Sequence, residues 1–196
     1  MKKQTLTVPT LSDLVFLRGR KVTLRPYSEK DIPYLVKWIN DPEIRKYVTR
    51  TMPANEKNEQ DWLNRIHSQE KDLVALIIQV KGVPIGNIGL GINWVERIGT
   101  VGIIIGEEKY QSSGFGKDAS MTLIEYAFNT LNLRKIEWMA KSFNERSLAC
   151  ARSCGFKIEG RMREEYFFDG RYWDEIIHGM FKSEWLPKYE AYQKKK

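Results

Sequence analysis

The sequence predicts one domain of mixed α/β class, with short apolar strands and amphipathic helices around a shared core. Three observations predict it. Leu73 to Val80 and Val83 to Ile92 meet at Lys81-Gly82, and Lys157 to Phe168 and Tyr172 to Phe181 meet at Asp169-Gly170, so two hairpins are written into the chain. Between them the apolar period changes from strand to helix. The run Thr100-Val101-Gly102-Ile103-Ile104-Ile105 gives way to Ala119, Leu123, Ala127 and Leu131 at four-residue spacing. The third observation is size: 196 residues make one ordinary domain, able to bury about 70% of its unfolded surface.

Taken in order, residues 1–16 show no period and are expected to be an N-terminal extension, with the domain spanning 17–182. Val22 to Arg25 alternate well enough for a first strand. Ser28-Glu29-Lys30-Asp31 offers a capping pattern, with either Ser28 or Asp31 as the cap. Ile32, Leu35, Val36 and Ile39 form the next helical stripe, which tolerates Pro33 only in its first turn and stops at Asp41-Pro42. A second helix fits Glu56 to His67, with Trp62, Leu63 and Ile66 inward. After the two strands of the first hairpin, a turn near Glu96-Arg97 leads to the strand ending at Ile105. Arg134 to Lys141 alternates cleanly, with Ile136, Trp138 and Ala140 on one face. Asn144 caps the next helix and Gly155 ends it. The second hairpin closes the domain, and 183–196 form a basic tail of helical pattern.

Composition narrows the class. Apolar residues at 42% and aromatics at 12% exclude a disordered chain. No apolar run approaches the roughly 20 residues that cross a bilayer, and Met1-Lys2-Lys3-Gln4-Thr5 is not followed by a signal-like apolar stretch. Cys150 and Cys154 lie one helical turn apart, which suits neighbouring helix faces better than a disulfide, and no His/Cys set completes a metal site. A reduced, cytoplasmic protein without a metal is expected. The net charge of +7 raises nucleic acid as a partner, but part of it is tail (Lys188, Lys194, Lys195, Lys196) and no nucleic-acid motif accompanies it. Neither nucleic acid nor membrane is expected as a partner.

The chemistry concentrates between strand and helix, at Gln111-Ser112-Ser113-Gly114-Phe115-Gly116-Lys117-Asp118-Ala119. A loop at a helix N-terminus presents unpaired N–H groups and the positive end of the macrodipole. Gly114 and Gly116 let the main chain approach a phosphate closely. A Walker loop fails, because Gly116-Lys117 is followed by Asp118 where a hydroxyl is needed. A dinucleotide fingerprint fits Gly114-x-Gly116-x-x-Ala119 but lacks the acidic ribose partner: Arg134 to Lys141 ends in Lys141-Ser142, and Glu137 lies mid-strand.

The same segment resembles the Q/R-x-x-G-x-G/A loop with which GNAT acetyltransferases grip the pyrophosphate of acetyl-CoA. The resemblance extends from about Leu17 to Phe181. Asn144-Glu145-Arg146-Ser147 followed by Cys154-Gly155-Phe156 looks like the family's next block. Leu17-Arg18-Gly19-Arg20, Asp31, Trp38, Asn40-Asp41-Pro42-Glu43 and the ending Glu164-Glu165-Tyr166-Phe167-Phe168-Asp169-Gly170 resemble the branch that contains ribosomal-protein N-terminal and spermidine acetyltransferases. The resemblance implies a mostly antiparallel, twisted sheet of about seven strands flanked by helices, with a bulged strand splayed at the acetyl-CoA site. It also implies the coenzyme contacts. Gln111, Ser112, Ser113, Gly114, Phe115, Gly116, Lys117 and Asp118 would hold the pyrophosphate. The main chain of Ile103, Ile104 and Ile105 would meet pantetheine and supply an oxyanion donor, with Asn144 beside the coenzyme.

The acid is where the chain departs from much of the superfamily, since Ala151 stands where many members have Tyr. Some ribosomal-protein enzymes use a Ser three residues after the Asn, so the resemblance makes Ser147 the expected acid and Cys150 the fallback. By the same resemblance Glu164 and Glu165 fall on the strand bordering the acceptor, and only one of two adjacent strand residues can face it as the base. Tyr47 and Trp62 are acceptor-side candidates, although a Trp on such a stripe is more often core. The implied activity is acetyl transfer to a primary amine, a protein N-terminus or else a polyamine, in a possible homodimer. A non-catalytic acyl-CoA-binding module and a dinucleotide-linked oxidoreductase are the alternatives.

Overall fold

A computed structural model describes residues 14–48, 52–68 and 71–194. Eight strands form one sheet: β1 (Leu17–Arg18), β2 (Thr23–Pro26), β3 (Leu73–Val80), β4 (Val83–Asn93), β5 (Ile98–Ile105), β6 (Lys135–Lys141), β7 (Lys157–Phe168) and β8 (Arg171–Phe181). Their order is β1-β2-β3-β4-β5-β6-β8-β7, and β5 with β6 is the parallel pair. The strand beyond the expected seven is β1, a two-residue addition that pairs Leu17 with Leu24 and Arg18 with Thr23. It is too short to carry a period of its own.

The strand period of two divides the apolar side chains between the sheet's faces. On β3, Ile77 faces α1 (Ile32–Asn40), α2 (Pro42–Arg45) and α3 (Glu56–Ser68), in a cluster with Leu35, Trp38 and Leu63. Its neighbours Leu76 and Ile78 face α4 (Phe115–Asn129), α5 (Glu145–Cys154) and α6 (Lys182–Lys194) in the larger cluster. A buried ion pair joins the smaller layer to the sheet. Arg25, 2% exposed, donates two hydrogen bonds to Asp31 at 2.8 and 2.7 Å and a third to Gln79 at 3.0 Å. Asp31 also accepts from the Ser28 N–H at 2.9 Å while the Ser28 hydroxyl caps the turn ahead of α1, so both expected capping residues act together.

The stretch 183–196, set apart as a tail, is helical through Lys194 and packed rather than free. Trp185 is fully buried beside Phe128 and stacks on Tyr189. Lys195, Lys196 and residues 1–13 of the extension lie outside the described residues.

The centre of the sheet opens. β5 pairs with β4 along its whole length, from Ile98 to Ile105, but with β6 only from Ile98 to Val101. Beyond Trp138, β6 continues through Lys141 against β8 instead. Each inner strand thus keeps to its outer neighbour, and the two part. The expected irregularity lies on β4, across from the splayed strand, because the β4–β5 register itself is continuous. The Ile85 carbonyl accepts from both Gly106 and Glu107 N–H, at 2.8 and 3.1 Å, which draws the end of β5 toward β4. Gly86 makes this possible: a Cβ there would lie 2.1 Å from the Ile104 carbonyl oxygen.

His178 of β8 is wholly buried, with Nδ1 3.3 Å from the Trp138 carbonyl and Nε2 unpartnered. Burial holds its pKa below the ordinary 6.5. The unfolded chain therefore binds this proton more readily than the native one, so stability is full above pH 6.5 and declines as pH falls toward the depressed native pKa. Urea midpoints should drop between pH 7 and pH 5, and His178→Leu should flatten that slope; an equal slope in the variant would assign it to other groups.

Candidate functional site

The parted strands frame a cavity of about 960 Å³ that runs from the Gln111–Lys117 loop, through the gap, to a chamber bounded by the ends of β6, β7 and β8 and by α2 and α3. Main-chain direction tells which groups line the gap. Gly106 N–H points at β4, and strand alternation turns the main-chain groups of Ile104 the same way and those of Ile103 and Ile105 the other. The Ile105 carbonyl accordingly accepts from Gln111 Nε2, at 3.0 Å, on the gap side. Of the three expected residues, Ile103 and Ile105 offer N–H groups to a ligand and Ile104 spends its own on the sheet.

At the loop, Ser112 and Gly114 have φ of 55° and 83°, a left-handed pair that turns successive N–H groups inward. Gly114 is the N-cap of α4, and Asp118 is the first residue whose N–H finds a helical carbonyl, that of Gly114 at 3.0 Å. The N–H groups of Phe115, Gly116 and Lys117 are left for an anion. Gln111, Ser112, Gly114, Gly116 and Lys117 line the cavity, while Ser113 and Phe115 lie outside its lining. Ser113 uses its carbonyl to accept from Lys21 Nζ at 3.2 Å, and the Phe115 ring packs on Tyr110. The loop carries the donors and a cation, Lys117, that suit a diphosphate, with Lys21 beside it and Arg146 of α5 reaching the Gln111 side chain.

Asp118 turns away from this cluster. Fully buried, its carboxylate accepts from the N–H groups of Arg20, Lys21 and Val22 at 3.1, 2.6 and 2.9 Å and from the Tyr192 hydroxyl. Its place is beneath the loop, clamping the β1–β2 turn and α6 to the first turn of α4, rather than on the coenzyme. A carboxylate would repel phosphate, and here its oxygens are taken by donors of the β1–β2 turn and α6 instead.

Across the gap stands the start of α5. Asn144 lines the cavity and also caps the helix, its Oδ1 accepting from Ser147 N–H at 3.1 Å. The Ser147 hydroxyl accepts from Trp138 Nε1 at 2.9 Å. Indole N–H is a donor only, so the serine keeps its own proton to give. Cys150 lines the wall beyond Ser147, a free thiol like Cys154, and Ala151 is sealed in the core.

The chamber differs most from expectation. Glu164 and Glu165 are exposed and outside the cavity lining. The β7–β8 register jumps between Met162 and Tyr166, and Glu164 has φ of 55° at the centre of the resulting bulge. Asp174 holds the bulge by accepting from Glu164 N–H at 2.9 Å and from Arg161, contacts that keep its own pKa below the usual carboxylate range. The bulge breaks strand alternation and brings Tyr166 to the cavity. Tyr166 donates to Glu175, which is 8% exposed, and burial and that bond raise the phenol's pKa. Lys141, 9% exposed, lies beside them and burial lowers its pKa. Opposite, Tyr47 and Trp62 line the wall as expected of acceptor-side residues, Trp62 edge-on to Tyr27. Asn87 Oδ1, buried and without a hydrogen-bond partner among the described residues, belongs to the same wall. Sequence reasoning missed Tyr27, Asn87, Lys141, Tyr166 and Glu175. A bulge was the signal needed for Tyr166, and strand alternation alone cannot show one.

Among the described residues, no helix is long and apolar enough to cross a membrane, and no cluster of three His, Cys, Asp or Glu side chains could hold a metal. Comparison with known proteins adds to the geometry. Residues 21–157 match the acetyltransferase (GNAT) domain family. The spermidine N(1)-acetyltransferase of Escherichia coli K12 is 28% identical over 174 residues, 88% of this chain and 92% of that protein. The crystal structure of spermidine N-acetyltransferase from Vibrio cholerae, in complex with CoA and spermine, superposes with a TM-score of 0.78 at 26% identity, covering 85% of this chain and 98% of that one. Mycobacterium smegmatis RimJ in complex with CoA-disulfide shares the fold at a TM-score of 0.78 and 17% identity, covering 90% and 92%.

The Asp118 clamp is testable apart from catalysis. Asp118→Ala strands three backbone N–H groups and should lower the unfolding free energy by about 3 kcal/mol in urea titration. An unchanged midpoint would show the carboxylate to be idle.

Proposed function

The chain belongs to the GNAT acetyltransferases and is an acetyl-CoA-dependent N-acetyltransferase, and we propose that its acceptor is the α-amine of a polypeptide N-terminus. The observation that carries this choice is the charge balance of the chamber. Among the described residues, two carboxylates line it: Glu43 pairs with Lys46 at 2.6 Å, and Glu175 takes Tyr166 on Oε1 with the Lys141 ammonium nearby, which leaves Oε2 for one amine. A polyamine brings several ammonium groups and needs a surplus of carboxylates, whereas one α-amine does not. An α-amine of pKa near 8 also gives up its proton to a weak base, unlike a polyamine nitrogen near 10.

The coenzyme supplies an activated thioester. The protein's part is to place and polarise it. The N–H groups of Phe115, Gly116 and Lys117 take the diphosphate, and Ile103 and Ile105 extend hydrogen bonds along the open edge of β5. One of these strand N–H groups stabilises charge developing on the thioester oxygen. The Ser147 hydroxyl, with Trp138 on its lone pair, delivers a proton to the departing sulfur. Glu175 accepts the amine proton, directly or through water, the role expected of Glu164 or Glu165.

The relatives favour a second reading, since the E. coli and V. cholerae proteins carry spermidine acetyltransferase names. Thiol release from acetyl-CoA separates the two. N-terminal peptides should be turned over with higher kcat/KM than spermidine, and the reverse order would install the polyamine reading. Tight CoA binding with no release for any amine would point to a non-catalytic module. Ser147→Ala should lower kcat on the order of 100-fold with CoA affinity unchanged; undiminished turnover would remove Ser147 from the chemistry.

A further inference from the structure

We propose that Lys141 reads the carbonyl group next to the reacting amine, so that this chamber selects α-amino acyl compounds over simple amines. The inference rests on acetyl transfer to a primary amine and adds the group by which the acceptor is chosen.

Lys141 is the last residue of β6, three positions past Trp138, where the strand has already left β5. Its direct partner on β8 is Glu175, so the two side chains leave the same face of the sheet as neighbours. Tyr166 lies under the ammonium, with Nζ 4.7 Å from its ring centre, and donates its hydroxyl to Glu175 Oε1. All three residues line the cavity. A cation, a carboxylate and a phenol are therefore packed at the acceptor end of a channel whose other end suits a diphosphate.

Hydrogen-bond capacity says what the cation has left to offer. Lys141 Nζ donates to the main-chain carbonyls of Lys46 at 3.2 Å and Val48 at 2.9 Å. An ammonium has three N–H donors, so one remains for the cavity. Glu175 uses Oε1 for Tyr166, and its Oε2 makes no hydrogen bond among the described residues. One donor and one acceptor thus stand side by side, with complementary charge. The ligand that satisfies both carries an amine and, one carbon away, a carbonyl oxygen: the start of a polypeptide, or an α-amino acid. Spermidine has no oxygen for Lys141 to meet, and its second ammonium would face a like charge.

A purely structural Lys141 would pin residues 46 and 48 over the chamber and nothing more. The test separates the two roles by comparing acceptors within one variant. Ala-Ala-Ala-amide, sec-butylamine and spermidine are assayed by thiol release with wild type and Lys141→Met, which keeps the apolar stem and removes the charge. For the peptide amide, Lys141→Met should raise KM about tenfold with kcat little changed, a loss of about 1.4 kcal/mol. The kcat/KM preference for the peptide over sec-butylamine should fall by the same factor. Equal losses for all three acceptors would reduce Lys141 to a loop anchor, and an unaltered peptide KM would overturn the assignment outright. If wild type binds CoA yet acetylates none of the three, the acetyl-transfer reading itself fails, an outcome distinct from a Lys141 variant that merely leaves the ratio intact.

Discussion

The constraint on which the structure depends is the obligation of every backbone amide to find a partner. In most of the sheet the next strand provides it. Between β5 and β6 it does not, because β5 is committed to β4 as far as Ile105 and β6 to β8 as far as Lys141. Leaving buried N–H and C=O groups unpaired costs about 1–3 kcal/mol each. The gap is stable only because it is wet in the free protein or lined by a ligand with amides of its own. A pantetheine arm is such a ligand, and the shape of the opening and the chemistry of its edges therefore point to the same molecule.

The same logic explains the loop and what lies beneath it. A helix start that keeps three N–H groups free for an anion cannot also be capped by its own side chains, and Gly114 supplies no cap. Stability has to come from elsewhere, and Asp118 provides it one turn on by joining three N–H groups of the β1–β2 turn and the Tyr192 hydroxyl. This is why the C-terminal helix is packed instead of trailing. Its Trp185 fills the core, and its Tyr192 completes the Asp118 clamp under the Gln111–Lys117 loop. Lys21 is brought by the same turn to the Ser113 carbonyl, adding a cation beside the loop.

Legibility tracked the physics of each region. The strand, loop and helix from 98 to 129 were readable because a change of period, two glycines and a helix start are all local. Asn144 and Ser147 were readable once that loop had suggested a family, and the structure sets both along the gap. The acceptor carboxylates were not. Choosing Glu164 or Glu165 assumes unbroken alternation on β7, and the bulge held by Asp174 swings both into solvent and presents Tyr166 instead. Lys141 was invisible for another reason. A lysine closing an alternating strand ordinarily reaches water, and only the carbonyls of residues 46 and 48, nearly a hundred positions earlier, keep this one inside.

Donor and acceptor ends thus differ in how they are encoded. In the proposed site the coenzyme end is built mostly of main chain: N–H groups of a helix start and of a strand edge, which almost any side chains could accompany once the path is set. The chamber proposed for the amine is lined by side chains from β3, β4, β6, β7, β8, Tyr27 and the helices, each placed by contacts distant in sequence. A main-chain site tolerates divergence, so a coenzyme site of this kind can persist among proteins 26–28% identical. The acceptor end changes with a single residue. At such identity the activity of a relative speaks for the donor more firmly than for the acceptor, and the proposed choice of amine rests on the neighbouring charges of Lys141 and Glu175.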